Sequence, residues 1–190
     1  DPHDQERMQT IVQLAGKMDG VIEGLLGYSE LGHAPIRRSA ADLNDLFAHA
    51  IDLVRVEIEH TGTQVRIPRR LPKLDCDVRW TSQILFNLIS NAIKYNDKPE
   101  RWIEIGFQEH KVKPTVLYVK DNGIGIAPEN SEAIFRLFHR LHTDREYGGG
   151  TGLGLAIVAR AIERHNGRLW LESAMGIGTT FYFTLNGEAE

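Results

Sequence analysis

The chain has 190 residues, of which 42% are hydrophobic and 25% charged, and its formal net charge at pH 7 is −4. This composition is typical of a soluble globular protein with room for one ordinary domain and a small additional element. Because no basic stripe runs along any segment, nucleic acid is not expected as a partner, and the single cysteine, Cys76, excludes an internal disulfide.

No apolar run approaches the roughly 20 residues that a membrane-spanning helix needs. The chain begins at Asp1 and carries no signal peptide pattern. We therefore expect a cytoplasmic piece of a longer protein, whose parent is either soluble or membrane-anchored. Of the eight histidines, only His139 and His142 form a close pair, and without a third ligand a zinc site is not expected.

Residues 5–31 are predicted to form one helix with a narrow apolar seam. The seam residues recur at alternating steps of three and four, which is the a/d pattern of a heptad: Met8, Ile11, Ala15, Met18, Ile22 and Leu25. A strict seam is narrower than an ordinary core stripe. It therefore favours a bundle with helices of a twin chain or of other sequence over packing on the chain's own domain. We expect residues 1–34 to be a bundle helix with its linker, and residues 35–190 to be a separate domain.

In the rest of the chain, helices and hairpin-paired strands are segregated rather than strictly alternating. Gly32 and Pro35 end the first helix, and Gly62 stops a second one. The predicted helices lie at about 43–58, 78–95 and from 152 onward, and the predicted strands at 64–68, 71–76, 102–107, 115–120, 168–172 and 179–185. This order predicts an α+β fold, a two-layer sandwich with helices on one face of a mixed or mainly antiparallel sheet.

The helix at 78–95 carries a polar stripe beside its apolar face. Asn91 follows Asn87 by four residues, and Lys94 and Tyr95 follow Asn91 by three and four, which keeps all four on one side of the helix. An amide oxygen is a hard ligand suited to Mg²⁺, and a lysine is a point charge for phosphate. The stripe is either a magnesium–phosphate site or a solvated polar face.

Asp121 ends a strand of alternating apolar residues and precedes a glycine turn. A carboxylate there can accept from the exocyclic amine of adenine, whereas guanine has a carbonyl in the same place. Gly123 and Gly125 would let the backbone approach a flat ring. The alternative is an ordinary turn, because Asn-Gly often forms one.

The segment from 126 to 150 is longer than an ordinary connection, which suggests a functional loop. It holds a short helical patch with two aromatic anchors, Phe135 and Phe138, and it suits a lid that packs down over a ligand. Its arginines could meet phosphate charge: Arg136, Arg140 and Arg145. The alternative is a surface helix with ordinary charges.

Five glycines stand within residues 148–154, directly before a helical pattern. Unhindered N–H groups at a helix N-terminus favour an anion, so this run predicts a phosphate site. Leu155 and Ala156 stand where a P-loop needs its Lys and Ser or Thr, and no strand precedes the run as the dinucleotide fingerprint requires. The alternative is a glycine loop that binds nothing.

In this order, the four signals resemble the ATP-binding catalytic domain of sensor histidine kinases in the GHKL superfamily. The resemblance covers roughly residues 40–186, and the matching boxes are 87–95, 121–126, 134–138, 149–155 and 178–181. The sequence of residues 138–143 is similar to that found in the phytochrome-linked branch of this kinase family.

The resemblance implies a Bergerat-type sandwich that binds ATP and Mg²⁺. Asn91 would ligate the metal, with Asn87 and Lys94 at the phosphates and Tyr95 beside the base or ribose. Asp121, assisted by Thr180, would accept from adenine, and Gly152 and Gly154 would open the lid hinge. The other implied nucleotide contacts are Gly123, Gly125, Ile126, Phe138, Arg140, Gly150, Thr151, Leu153 and Leu155.

Two departures from family patterns matter. The phosphoacceptor box is missing, because His3 is followed by Asp4 but by no proline and no helix precedes the seam. The acceptor histidine is therefore expected on a bundle helix outside this chain. Hydrolytic members place a glutamate four residues before the metal-binding Asn, and here that position is Asn87, which cannot act as a general base.

The sequence thus predicts a bacterial two-component kinase fragment that transfers the γ-phosphoryl of ATP to a histidine. The implied partners are the phosphoacceptor bundle, an upstream sensor domain, a response regulator and a second copy of the parent chain. A nucleotide-binding or dimerising pseudokinase and a hydrolytic ATPase remain alternatives.

Overall fold

A computed structural model of the chain describes residues 2–109, 114–141, 147 and 150–186. In the described residues, the helices are α1 (Pro2–His33), α2 (Leu43–Leu53), α3 (Arg55–Thr61), α4 (Val78–Lys94) and α5 (Gly154–Arg164). The strands are β1 (Ser39–Asp42), β2 (Gln64–Arg66), β3 (Lys73–Cys76), β4 (Trp102–Gln108), β5 (Val116–Asp121), β6 (Leu169–Ala174) and β7 (Gly178–Phe183). Two 3-10 turns, Pro128–Asn130 and Ala133–Phe135, lie between β5 and α5.

Five strands form one sheet in the order β2-β4-β5-β7-β6. The strand β2 runs parallel to β4, and the other neighbours are antiparallel. The helix α4 packs against α2 on one side and α5 on the other, and together they cover one face of the sheet. The predicted α+β sandwich with a mixed sheet is therefore confirmed.

Two local predictions are corrected by the fold. The helix predicted over 43–58 is interrupted at Val54, whose φ of −114° and ψ of 20° separate α2 from α3. The strand β1 was not predicted, because four residues carry too little periodicity to be detected. It forms by antiparallel pairing with β3, which sets Ala41 opposite Leu74. The stop at Gly62 is confirmed, since this residue adopts the left-handed conformation with φ of 68°.

The core lies between the sheet and the helices. Its largest fully buried side chains come from both layers: Phe47, Leu85, Leu88, Ile89, Ile103, Ile105, Leu117 and Phe183. In α4, the apolar positions face this core, and Asp77 caps the helix by accepting from the Trp80 N–H. A helix anchored in this way presents its adjacent polar stripe at a fixed position along the core edge.

The helix α1 contacts the rest of the domain mainly through α5. Its seam remains open to solvent, with Met8 at 66%, Met18 at 65% and Leu25 at 41% exposure. A different face, carrying Gly20 and Gly24, meets the side chains of Thr151 and Leu153. An exposed seam of this length suits further helices, so the bundle stays a prediction. Within the described residues, none of the helices combines the length and the apolar content needed to cross a bilayer.

Candidate functional site

The polar stripe of α4 lines a cleft that has two connected parts. The larger cavity, of about 670 Å³, lies between α4, α1 and the glycine segment that precedes α5. The smaller one, of about 90 Å³, lies between α4 and the turn after β5. The side chains that border both are Asn91, Tyr95, Ile134, His139, Arg140 and Leu155. The two parts therefore meet along the middle of one elongated site.

The larger cavity has the character of an anion site. A Cβ added at Gly150 would lie 2.6 Å from the Lys94 Nζ, and one added at Gly154 would lie 2.9 Å from the Asn87 Oδ1. The ammonium and the amide thus approach the glycine backbone closely because it carries no side chains. The helix α5 begins at Gly154 with no side-chain cap at Leu153, so its first N–H groups are available to an anion.

The residues predicted to meet phosphate and metal are thus brought together around the stripe. Those that line the larger cavity and were predicted from sequence are Asn87, Asn91, Lys94, Tyr95, Arg140, Gly150, Thr151, Gly152, Leu153, Gly154 and Leu155. Two acidic residues of α1, Glu23 and Glu30, also line it, and sequence reasoning missed them because α1 was assigned to a bundle alone.

The donor set suits a magnesium ion that arrives with a nucleotide. The described residues contain no group of three or more His, Cys, Asp or Glu that could hold a metal by themselves. Mg²⁺ needs only one or two protein ligands when phosphate oxygens and water complete its octahedron. Asn91 lies where the two cavities meet, so its amide oxygen can supply such a ligand.

Asp121 lies in the smaller cavity at the end of β5 and is 9% exposed. Its Oδ1 accepts hydrogen bonds from the Gly123 N–H at 2.8 Å and the Thr179 N–H at 3.1 Å. Burial raises the pKa of this carboxyl to about 6, and the two N–H donors oppose that rise. Because both bonds from described residues use Oδ1, Oδ2 is left to meet a donor from a ligand.

Thr180, predicted to assist Asp121, lies on the other side of its strand. Side chains alternate along β7, so Thr179 and Phe181 line the cavity while Thr180 interacts with Tyr182 on the outer face. Thr179 is therefore the neighbour of Asp121. The prediction missed it by one position, because the register that sets a strand's inner face is fixed by pairing with β5.

The glycines after Asp121 allow the turn to pack closely against neighbouring backbone. A Cβ at Gly123 would lie 2.2 Å from the Tyr95 carbonyl oxygen, and one at Gly125 would lie 2.1 Å from the Ala174 carbonyl oxygen. Gly125 and Ile126 line the smaller cavity, but Gly123 lines neither cavity. The predicted approach to a flat ring is thus corrected for Gly123, which instead holds the turn against the end of α4.

Gly125→Ala is expected to destabilise the protein by about 3 kcal/mol or more, because a left-handed strain and a backbone clash add together. Its control is Gly176→Ala, which has nearly the same φ, 73° against 74°, but no atom within 4 Å of the new Cβ. That variant should lose about 1 kcal/mol. Urea unfolding of both variants measures the difference, and equal losses would contradict the clash.

Of the two aromatic anchors predicted for the lid, Phe135 is half-buried against the core and Phe138 is exposed. The Phe135 ring packs edge-on against Phe181 at 6.4 Å, whereas the Phe138 side chain is 53% exposed and lines neither cavity. Arg136 is likewise exposed, but Arg140 borders both cavities. Arg145, His142, Gly148 and Gly149 lie outside the described residues.

The cleft includes residues that sequence reasoning did not select. Besides Thr179, these include His139, Ile124 and Leu141. His139 lies between two residues that the sequence does predict as nucleotide contacts, Phe138 and Arg140. The sequence signal that could have identified His139 as a cleft residue is its position directly before Arg140, which borders both cavities.

Comparisons with known proteins give a family match and several relatives. Residues 76–189 match the family model described as histidine kinase-, DNA gyrase B- and HSP90-like ATPase. Cyanobacterial phytochrome B of Nostoc sp. PCC 7120 is 44% identical over 95% of the chain and 24% of its own length. The methanogenesis regulatory histidine kinase FilI of Methanothrix harundinacea is 36% identical over 89% of the chain and 19% of its own length.

One solved structure is similar in fold to this chain. Full-length ShkA in complex with AMPPNP superposes with a TM-score of 0.77 at 25% identity, over 98% of this chain and 40% of that one. The chain spans about a quarter or less of the two relatives' lengths.

Proposed function

The chain belongs to the family of histidine kinase-, DNA gyrase B- and HSP90-like ATPases, and from this membership we propose that it is the ATP-binding catalytic domain of a two-component sensor histidine kinase. The observation that carries the proposal is the continuity of the cleft. A buried carboxylate lies at one end, an ammonium and an open helix N-terminus at the other, and Asn91 between them. The base, sugar and triphosphate of ATP would meet these groups in the same order along the cleft.

In the proposed reaction, an imidazole nitrogen attacks the γ-phosphorus of ATP. A nitrogen–phosphorus bond forms, the bond to the bridging oxygen of ADP breaks, and the imidazole proton passes to solvent. Such transfers depend mostly on positioning and on neutralising phosphate charge. Lys94 and the N-terminal N–H groups of α5 would hold the phosphates, and Asn91 would hold Mg²⁺, which supplies further positive charge when bound.

The side chain beside the triphosphate favours transfer over hydrolysis. Asn87 donates through Nδ2 to the Gln83 carbonyl at 3.0 Å, and its Oδ1 faces Gly154. A neutral amide cannot take a proton from water, so it cannot act as the general base of a hydrolase. The nucleophile is therefore proposed to come from a phosphoacceptor histidine on a bundle helix outside this chain.

The proposed partners follow from that missing histidine. The exposed seam of α1 would pack in a homodimeric bundle that carries the acceptor, below an upstream sensor domain, and a response regulator would receive the phosphoryl group. The cytoplasm, where ATP is available, is the proposed location.

Phosphotransfer can be tested by mixing this chain with a separately produced phosphoacceptor bundle and γ-labelled ATP. We expect label on the bundle that is lost in acid and retained in base, as the nitrogen–phosphorus bond of phosphohistidine requires. An unlabelled bundle, despite measurable ATP binding by the chain, would indicate a nucleotide-binding pseudokinase. Steady phosphate release without the bundle would indicate a hydrolytic ATPase instead.

A further inference from the structure

His139 lines the cleft, and one of its ring nitrogens is buried without a partner in the part of the chain that the structure describes. Its side chain borders both cavities, and its Nε2 is buried without a hydrogen-bond partner among the described residues. A buried polar nitrogen left unpaired costs about 1–3 kcal/mol, so such atoms are few in native proteins and call for a partner.

The backbone before His139 has an unusual conformation. Phe138 adopts the left-handed conformation with φ of 60°, which is unfavourable for a residue other than glycine. The strained residue is held in place by its N–H, which donates to the Gly152 carbonyl at 3.0 Å. A Cβ on Gly152 would lie 2.9 Å from the Phe138 backbone, so only glycine permits this approach. Strain retained in this way is typical of functional sites.

The position of His139 along the cleft indicates which part of a nucleotide it meets. Asp121 and Thr179 line only the smaller cavity, while Asn87 and Lys94 line only the larger one. His139 borders both, between the end suited to a base and the end suited to phosphates. The group that spans this junction in a nucleotide is the ribose with its α-phosphate, whose oxygen atoms can accept a hydrogen bond.

We propose that His139 is a nucleotide-binding residue that donates its Nε2–H to the ribose–α-phosphate segment. The proposal rests on the proposed function, since it assumes that a nucleotide occupies the cleft. A neutral imidazole donates through one nitrogen, and the tautomer protonated at Nε2 supplies the hydrogen for this bond. Binding would pair a buried side-chain nitrogen that has no partner among the described residues.

Titration calorimetry with adenine, adenosine, AMP and ADP tests this assignment in wild type, His139→Phe and His139→Gln. We expect His139→Phe to weaken AMP and ADP about tenfold or more while leaving adenine within about twofold. The glutamine amide can donate from a similar position, so His139→Gln should recover most of the lost affinity. A loss for adenosine as well as AMP assigns the bond to the ribose, and a loss beginning at AMP assigns it to the α-phosphate.

Arg136→Ala, an exposed change three residues away and outside both cavities, is the matched control and should leave every affinity unchanged. Labelled imidazole nitrogens give a direct signal in NMR, where the Nε2 resonance of His139 should shift with AMP but not with adenine. An equal loss for adenine and AMP would assign His139 to packing alone and overturn the proposal. So would an unmoved resonance, whereas a wild type that binds no nucleotide would overturn the proposed function first.

Discussion

Asp121→Asn is expected to abolish preferential adenine binding while the fold stays at least as stable at pH 7. The new amide can keep both backbone bonds from Gly123 and Thr179 through its oxygen. Its NH₂ group then stands where Oδ2 stood and faces the adenine amine. Two donors that meet in a buried cavity cannot both be satisfied, so ATP affinity should fall about 100-fold or more.

The matched ligand for this variant is ITP, whose purine has a carbonyl where adenine has its exocyclic amine. The NH₂ group that Asp121→Asn introduces can donate to the carbonyl of ITP, so ITP should bind the variant better than ATP does, reversing the wild-type order. Calorimetric titration of both nucleotides into both proteins measures the reversal. Equal losses for ATP and ITP would contradict the donor–acceptor argument and indicate a general collapse of the cavity.

The raised pKa of Asp121, about 6, also predicts how binding and stability respond to pH. Adenosine affinity should fall as pH drops through about 6, because the protonated carboxyl carries a donor and loses its charge. Stability changes in the opposite direction. The native state holds the proton of Asp121 more tightly than the unfolded state does, so the free energy of unfolding falls as pH rises from about 4 to about 6. Over that range the loss is about 3 kcal/mol.

Comparing Asp121→Asn with wild type isolates this contribution, since the variant has no carboxyl to ionise. Its free energy of unfolding should lack the decrease between about pH 4 and pH 6, and chemical denaturation at several pH values measures the difference. Parallel pH profiles for the two proteins would show that the carboxyl does not titrate in this range.

Asn91→Ala is expected to have the second large effect, and that effect should depend on magnesium. With Mg²⁺ present, removing the amide oxygen should weaken ATP about 10- to 100-fold, in line with the loss of a ligand to a divalent ion. With the metal chelated, wild type and variant should bind ATP almost equally. Transfer of label to a phosphoacceptor bundle should fall with the magnesium-dependent affinity.

Adenosine is the control ligand for Asn91→Ala, because it has no phosphates to bring a metal. Its affinity should change little if Asn91 acts through Mg²⁺. An equal loss for adenosine and for ATP with magnesium would instead assign the Asn91 side chain to shaping the smaller cavity, which it also lines.

Much of the cleft followed from the sequence because its determinants are local. The spacing of Asn87, Asn91 and Lys94 fixes one side of a helix wherever that helix packs. A glycine run before a helix start leaves open N–H groups in any surroundings, and Asp121 marks the end of an alternating strand. These features needed only the helical and strand periods, and they lie around one cleft in the structure.

What the sequence by itself determined is therefore the α+β class, the helix stripe, the carboxylate and the glycine segment. The tertiary structure alone decided that Thr179 rather than Thr180 lines the cleft and that Gly123 packs against backbone. It also decided that His139 lines the cleft while the Phe138 side chain is exposed to solvent. The physical reason is that side-chain direction in strands and loops depends on pairing register and on distant backbone contacts. No short-range pattern encodes those contacts, whereas the helical repeat is carried by the chain itself.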